Sequence, residues 1–519
     1  MGNPRTNIAL SGQGSPTLGK RTDLIIGQLP FNNANAGKVF TNVQNLTVTE
    51  LDTIFLANTS LRNSIKKYLT TNKYYSRLDV QTREADTGAV KASGKITFAG
   101  TATEDGTLLV SVASEKDYTV ELAITTGDNL DAIRTALTAL FTAVIFPNMP
   151  VAVTDGITGV TGFEAIDGGS IGNGYGIKVV GAVAGITYAI TAMASGATDP
   201  TYVSTDIPTG QRYSGIMAPS WFASASVDAL ATALDAIFNS TNAIKDGVCF
   251  HGMYDTYANL LAFVTARNSK SLVVAGNKTA PATNPFANTL QTGGAIVHPI
   301  DWILSAFMGI RSIRLTEDAP IADYVIANGL DVFGGIALAS MPYFNTPFAS
   351  VPVTSAQILL TETEKLNLET AGFFVIDVND AENGMLAGSA PTTYKTDTLG
   401  NSDSTWKYLN YFDTGSAVRE YIFSAIKADL AQMRLTNGEL TAGRNIQNSG
   451  SIEALFMKYY AFLGEKVLVQ TGGAIVSAVS DATVVTIDLA KRTVTLISQI
   501  PIVTQLGTIN MAIKQVFTI

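Results

Sequence analysis

The chain has 519 residues, of which 46% are hydrophobic and 15% charged, with a formal net charge of −9; it is too apolar for a disordered polymer and long enough for about three domains. Its 43 acidic and 34 basic residues lack the basic footprint that phosphate neutralisation requires, which sets aside nucleic acid and anionic membrane surfaces as main partners. Two histidines and one cysteine cannot build a four-ligand zinc site or a disulfide within one chain.

Residues 1–20 are rich in Gly, Ser, Pro and Asn and read as an extended N-terminal arm. TDLIIGQLP (22–30) has the character of a buried strand, and the stretch 47–72 reads as helical, with Thr49 and Asp52 placed as a capping box. From residue 89 the texture turns to short alternating runs. GKITFAGTA, GTLLVSVAS and YTVELAI are strand signals, followed by a helix with Asp128 as N-cap and Leu130, Ile133, Leu137, Leu140 and Phe141 on one face. VAVTDG, TGFEAID, GIKVVGAV and TYAITAMA then resume the strand pattern.

After residue 203 strands and helices alternate: RYSGIMAPS, a helix striped by Val227, Leu230, Leu234, Ile237 and Phe238, DGVCFHGMY, TYANLLAFVTARN and KSLVVAG. Such alternation predicts a mostly parallel or mixed sheet covered by helices. The segment 281–400 is looser, with one helix running into a strand at ETEKLNLETAGFFVIDV. Two further helices are marked by Val418, Tyr421, Ile422, Ile426, Leu430 and Met433 and by Ile452, Leu455, Phe456, Tyr459, Tyr460 and Leu463, before strands at ATVVTIDLA and RTVTLIS. The terminal run places Ile509, Met511, Ile513, Phe517 and Ile519 on one face, interrupted by Gln515. The expected fold class is a multidomain α/β and α+β protein. Its parts are an arm (1–20), a discontinuous α/β core (21–88 and 204–400), an inserted β-rich domain with one helix (89–203), a C-terminal α+β assembly domain (401–506) and a C-terminal strand arm (507–519).

Catalytic motifs do not assemble. Gly168, Ser170 and Gly172 fit G-x-S-x-G, but that motif needs a helix after the serine and a strand signal follows here, so a glycine-rich turn is the stronger reading. The available bases are His251 and His298, both remote in sequence. Gly14, Gly19 and Lys20 reproduce a phosphate-loop spacing, but Arg21 stands where a hydroxyl would ligate magnesium and no strand precedes the run. Asp377, Asp380 and Glu382 lack calcium-loop spacing, and Cys249 in an apolar run reads as a buried small hydrophobe. No catalytic residue, cofactor or metal is therefore expected. There is no apolar run of about 18 residues and no signal-like start, so the chain is expected to stay where it is translated, without membrane insertion. What remains reads as a building block that exchanges strands with identical copies.

The chain resembles the contractile tail sheath proteins of myovirus-type bacteriophages. The resemblance rests on the run from GKITFAGTATEDG to GGSIGNGYGIKVV, on RYSGIMAPSWFASASVDALATALDAIF with GVCFHGMYDTYANLLAFVTARNSKSLVVAG, and on ETAGFFVIDV with the paired helices before the final strands. It implies an α/β sheath core and a homo-oligomer of hexameric rings stacked helically around a tail tube protein. It also implies baseplate and tail terminator proteins as further partners. The expected location is the virion tail, after assembly in the host bacterial cytoplasm. The implied function is contraction that drives the tube through the host envelope, with no nucleotide required. Asn7, Ile8, Ala9, Leu10, Ile509, Met511, Ile513 and Phe517 are then the expected inter-subunit strand residues, with hinges just inside residue 20 and before residue 505 and the inserted domain outermost. The alternatives are a β-rich serine hydrolase using Ser170, or another tail structural component.

Overall fold

The computed structural model describes residues 21–72, 76–142, 146, 148–202, 212–239, 246–278, 299–315, 360–378, 385–387, 390–431, 433–440, 445–465, 469–503 and 508–518. The first stretch holds β1 (Thr22–Leu29), β2 (Val39–Phe40), α1 (Val48–Phe55), α2 (Ser60–Thr71) and β3 (Arg77–Glu84). Next come β4 (Lys91–Gly100), β5 (Gly106–Val112), β6 (Ser114–Ile124), α3 (Leu130–Thr142), β7 (Val151–Asp155), β8 (Val160–Gly168), β9 (Ile177–Val180) and β10 (Ile186–Ala194). The chain continues through β11 (Gly215–Ala218), α4 (Ser224–Asn239), β12 (Val248–Asp255), α5 (Tyr257–Thr265), β13 (Leu272–Lys278), α6 (Ile300–Arg314), α7 (Glu362–Thr370), β14 (Phe373–Val378) and β15 (Met385–Ala387). The last part holds α8 (Leu409–Leu430), β16 (Arg434–Leu435), β17 (Ile446–Gln447), α9 (Ser449–Glu465), α10 (Gly473–Asp481), β18 (Val484–Asp488), β19 (Thr493–Val503) and β20 (Thr508–Thr518).

β1 lies inside an eight-stranded sheet of order β15-β14-β13-β12-β11-β1-β3-β2. It runs parallel to β3 on one side and β11 on the other. A strand flanked on both sides in a sheet covered on both faces needs apolar residues at successive positions, as LII at 24–26 provides. Only β2 and β15, at the two edges, run antiparallel to their neighbours. The segment from β4 to β10 leaves this sheet between β3 and β11 and forms two antiparallel sheets, β10-β4-β8-β7 and β6-β5-β9, around its own apolar cluster with α3.

Local caps differ from the sequence expectation in two places. The single helix expected over 47–72 is two, because Leu56 takes φ 60° and ends α1. The capping box is Thr47 with Glu50, not Thr49 with Asp52: Glu50 N donates to Thr47 Oγ1 at 3.3 Å and Thr47 N donates to Glu50 Oε2 at 2.8 Å. Asp52 instead accepts from Arg62 Nε at 2.7 Å. At α3 the cap is Asn129, whose Oδ1 accepts from Ala132 N at 2.9 Å, while Asp128 accepts from Thr125 N. The buried stripe of α3, Ile133, Leu137 and Phe141, is the one its spacing predicts.

The element that joins these parts is α6, buried along its length from Ile300 to Ile313. Trp302 packs in the cluster of the β4–β10 segment. Phe307 meets Phe250 of β12 and Phe374 of β14 at ring-centroid distances of 5.7 and 5.0 Å. Gly252 of β12 permits this approach, since a Cβ there would overlap the Ile300 side chain. Ser312 Oγ donates to Asp23 of β1, which also accepts from Tyr68 OH at 2.8 Å and Gly215 N at 2.9 Å. Burial, opposed by these donors, raises Asp23 to about 6.

Arg311 donates to both oxygens of Asp413 on α8, from Nε at 3.1 and 3.2 Å and from Nη2 at 2.6 Å, and to Ser214 O at 2.7 Å. Both side chains are almost wholly buried, at 2% and 0% exposure. Asp413→Asn should therefore cost about 3–5 kcal/mol in urea denaturation, because it leaves an uncompensated buried guanidinium. The double replacement Arg311→Met with Asp413→Leu should lose much less; equal losses would mean that the charge itself is immaterial.

Candidate assembly site

The C-terminal unit is built on α8. Its Val418, Ile422, Ala425 and Ile426 pack with Ile452, Phe456, Tyr460 and Leu463 of α9 and with Val494, Leu496, Ile500 and Ile502 of β19. Alternate residues of β19 from Val494 to Ile502 are 0% exposed, whereas Ile497 on the opposite face is 38% exposed, the period of a strand with one face on a core. β20 runs antiparallel to β19 over its whole length. The register sets Phe517 opposite Val494, Ile513 opposite Ser498, Met511 opposite Ile500 and Ile509 opposite Ile502, with Gln515 opposite Leu496. Residues directly opposite in an antiparallel pair share a face. The four predicted positions thus occupy the face of the sheet on which β19 is buried, and within a single chain their partner is β19 of the same chain. Asn7, Ile8, Ala9 and Leu10 lie outside the described residues, as do residues 1–20 and 504–507 next to the two expected hinges.

Both edges of this three-stranded sheet lack a further strand among the described residues: β20 forms one and β18 the other. At the β18 edge, Val484 is 54% exposed and stands opposite Ile497.

The sequence reading missed the electrostatic root of this unit. Glu420 of α8 accepts from Arg21 Nη1 at 2.7 Å through Oε2 and pairs with Arg212 Nη1 at 2.7 Å through Oε1. Arg21 immediately precedes β1, and Arg212 lies just before β11, so one carboxylate ties both strand entrances to α8. Burial lowers Arg21 to about 10, against the pull of Glu420. Burial also pushes the Glu420 carboxyl upward, but Arg21 and Arg212 outweigh it and hold the group below its ordinary range. One residue earlier, Arg419 pairs with Asp246 and donates to Phe238 O at 2.8 Å. The only available sequence signal was a charge placed directly before a buried strand, since the partners are about 400 residues apart (|i−j| = 399).

The other candidates have structural explanations. Gly169 takes φ +80° and a Cβ there would overlap Asp199, so the GGSIG run is a tight turn into a short 3-10 helix, Ser170–Gly174. Ser170 Oγ donates to Asp199 Oδ2 at 2.6 Å, not to an imidazole. His251 is 3% exposed, stacks on Phe263 at 5.7 Å, and is lowered by burial to about 4. His298, Asp380 and Glu382 lie outside the described residues. Cys249 is 0% exposed and burial pushes its thiol up. Among the described residues no cluster of His, Cys, Asp and Glu could hold a metal ion, and no helix is long and apolar enough to cross a membrane.

No protein-family model matches the chain, and no curated protein matches it. Among solved structures it is similar to the sheath tail protein of Desulfitobacterium hafniense, at 11% identity and TM-score 0.47 over 97% of this chain and 98% of that one. It is similar to a sheath tail protein of Listeria innocua at 10% identity and TM-score 0.46, with 96% of each chain covered. A third similarity is to a chain of the anti-feeding prophage baseplate, at 10% identity and TM-score 0.39 over 100% of this chain and 96% of that one.

Glu420→Gln should destabilise the protein by about 3 kcal/mol at neutral pH, since two largely buried guanidinium groups lose their shared counter-charge. Because the folded state holds Glu420 below its ordinary range, its contribution is complete above that range and vanishes as pH falls through the folded value. Stabilities of wild type and variant should therefore converge in acid; a constant difference down to pH 2 would remove the ion pair as the cause.

Proposed function

We propose that the chain is the structural subunit of a contractile phage tail sheath, polymerising as stacked hexameric rings around the tail tube by exchanging strands between copies. The observation that carries this reading is β20: among the described residues it is an edge strand, paired along its whole length with β19, with Ile509, Met511 and Phe517 set opposite Ile502, Ile500 and Val494 of the buried face of β19. Exchange keeps that register and changes only the path between β19 and β20, so a strand supplied by a neighbour makes the same contacts as the chain's own. Eleven paired residues give several backbone hydrogen bonds worth about 1 kcal/mol net each.

The N-terminal arm enters the same scheme. Its root at Arg21 is fixed to α8 by Glu420, the helix that carries the C-terminal sheet. The 20 residues before it span at most about 70 Å when extended, so the arm can reach a neighbouring subunit's sheet. Arms that hold neighbours together let the bodies change their packing during contraction without losing the lattice. In this reading extension is a kinetically held state and contraction gains interface free energy, with no nucleotide consumed. The location is the virion tail, the partners are the tail tube, baseplate and tail terminator proteins, and assembly takes place in the host cytoplasm. No enzymatic step is part of the scheme.

The test is a cysteine pair at two opposed positions, Ser498→Cys with Ile513→Cys, in a chain whose native Cys249 is buried out of reach. After assembly, confirmed as striated tubes by negative-stain electron microscopy, oxidation should give a ladder of covalent multimers on a non-reducing gel. Cross-links found only within single chains in such tubes would overturn strand exchange by β20.

A further inference from the structure

A cavity of about 560 Å³ opens between the central sheet and the β4–β10 segment. One wall is the end of β12 at Met253 and Tyr254, Ser220 just past β11, and Pro299, Ile300 and Asp301 at the start of α6. The other wall is the 3-10 helix Ser170–Gly174, the residues that lead into β9, and β10. The strand order of the central sheet reverses between β1 and β11: the chain passes from β1 to β3 on one side and later from β11 through β14 on the other, all parallel. The cavity therefore lies at the carboxyl ends of two strands beside that reversal, where an open parallel sheet leaves a crevice suited to a ligand.

The lining is largely apolar, with Ile177, Ile190, Met193, Met253 and Ile300, and it contains one acid, Asp301, and no base. Asp301 is 3% exposed. Its Oδ1 accepts from Ser220 N at 2.9 Å and its Oδ2 from Ser220 Oγ at 3.1 Å, which leaves acceptor sites on both oxygens, since a carboxylate offers about four. No cation among the described residues pairs with it, and burial raises it to about 7. A buried carboxylate held only by neutral donors is costly until a positive charge reaches it. Tyr175 and Tyr254, which also line the cavity, lie within electrostatic reach of Asp301, and tyrosines add hydroxyl acceptors and ring faces that favour a cation. A metal ion would need several ligating side chains, and no such cluster occurs among the described residues. An anion would meet the carboxylate.

We propose that this cavity binds a small aliphatic amine, whose ammonium group pairs with the Asp301 carboxylate while its alkyl chain lies along the apolar walls. An ammonium has three donors and no acceptor, which matches the open acceptor sites of Asp301, and the hydrocarbon chain gains by leaving water. The site is built from the central sheet, α6 and the β4–β10 segment and stands independently of the sheath reading, which rests on β20.

Isothermal titration calorimetry of the intact chain with three probes of one length, hexylammonium, 1-hexanol and hexanoate, tests the site. Hexylammonium should bind at least about tenfold more tightly than 1-hexanol, the factor expected of hydrogen bonds to a charged group, and hexanoate should bind most weakly. Between pH 6 and pH 8 an alkylammonium stays protonated, as a lysine side chain does, while Asp301 ionises, so the affinity for hexylammonium should rise about tenfold, as one carboxyl at about 7 requires. Asp167, which acts on Tyr175 from the far side, is raised to about 7 as well, and Asp301→Asn separates the two: it should abolish both the preference for the cation and the pH dependence. Absence of hexylammonium binding, equal affinity for hexylammonium and 1-hexanol, or a cation preference that survives in Asp301→Asn overturns the proposal; the wild-type comparison of the three probes decides the matter if the variant does not fold.

Discussion

A helix buried on every side is permitted only if each of its polar groups finds a partner inside the protein, and α6 is such a helix. Among its described residues, four buried polar side chains each find a partner. Asp301 takes Ser220 after β11, Ser305 returns to the Asp301 carbonyl, Arg311 reaches Asp413 on α8, and Ser312 reaches Asp23 on β1. With Trp302 set into the cluster of the β4–β10 segment and Phe307 on the central sheet, one helix fixes the relative positions of all three parts. None of those partners can move far without stranding a polar group of α6 in an apolar interior.

The two junctions that α6 anchors differ in chemistry. The one with the β4–β10 segment relies on single hydrogen bonds, from Ser60 N to the Asp167 carboxyl and from the Trp302 indole to Ser60 Oγ. The one with the C-terminal unit relies on guanidinium–carboxylate pairs: Arg311 with Asp413, Arg21 and Arg212 with Glu420, and Arg419 with Asp246. Ion pairs that are mostly buried are little affected by salt. The contact of the C-terminal unit with the core is therefore one that salt screens little.

Elements with one apolar stripe or a short continuous apolar run were legible in the sequence, and a long buried helix without a stripe was not. β1, β11–β13, α3, α4 and the C-terminal strands follow the expected periodicities because each has a single apolar face or a short continuous apolar run. α6 went unread inside a segment taken as loose: IDWILSAFMGIRSIR is apolar on all sides and carries no stripe. The capping error at α1 has a chemical cause. Thr47–Glu50 and Thr49–Asp52 have the same spacing, but Glu50 is long enough to reach back to the cap N–H. At the candidate assembly site, the face of β20 was readable from alternation, whereas its pairing with β19 of the same chain was not. Strand pattern specifies which face is buried and leaves open which copy supplies the neighbour. The Arg21–Glu420 contact was beyond reach, since no local pattern joins residues separated by 399 positions.

That separation also orders the folding of the chain as it is made. As the chain leaves the ribosome, β1 can pair at once with β3, but its other neighbour arrives only with β11, 192 residues after Asp23. By then the β4–β10 segment has all its own strands and can close around its own cluster. Arg21 and Arg311 must wait longer still, until α8 has been made. A chain broken off before residue 409 would leave three guanidinium groups, those of Arg21, Arg212 and Arg311, without their carboxylates, a cost that opposes closure. The charge pattern of the core thus makes its closure depend on residues translated after position 409.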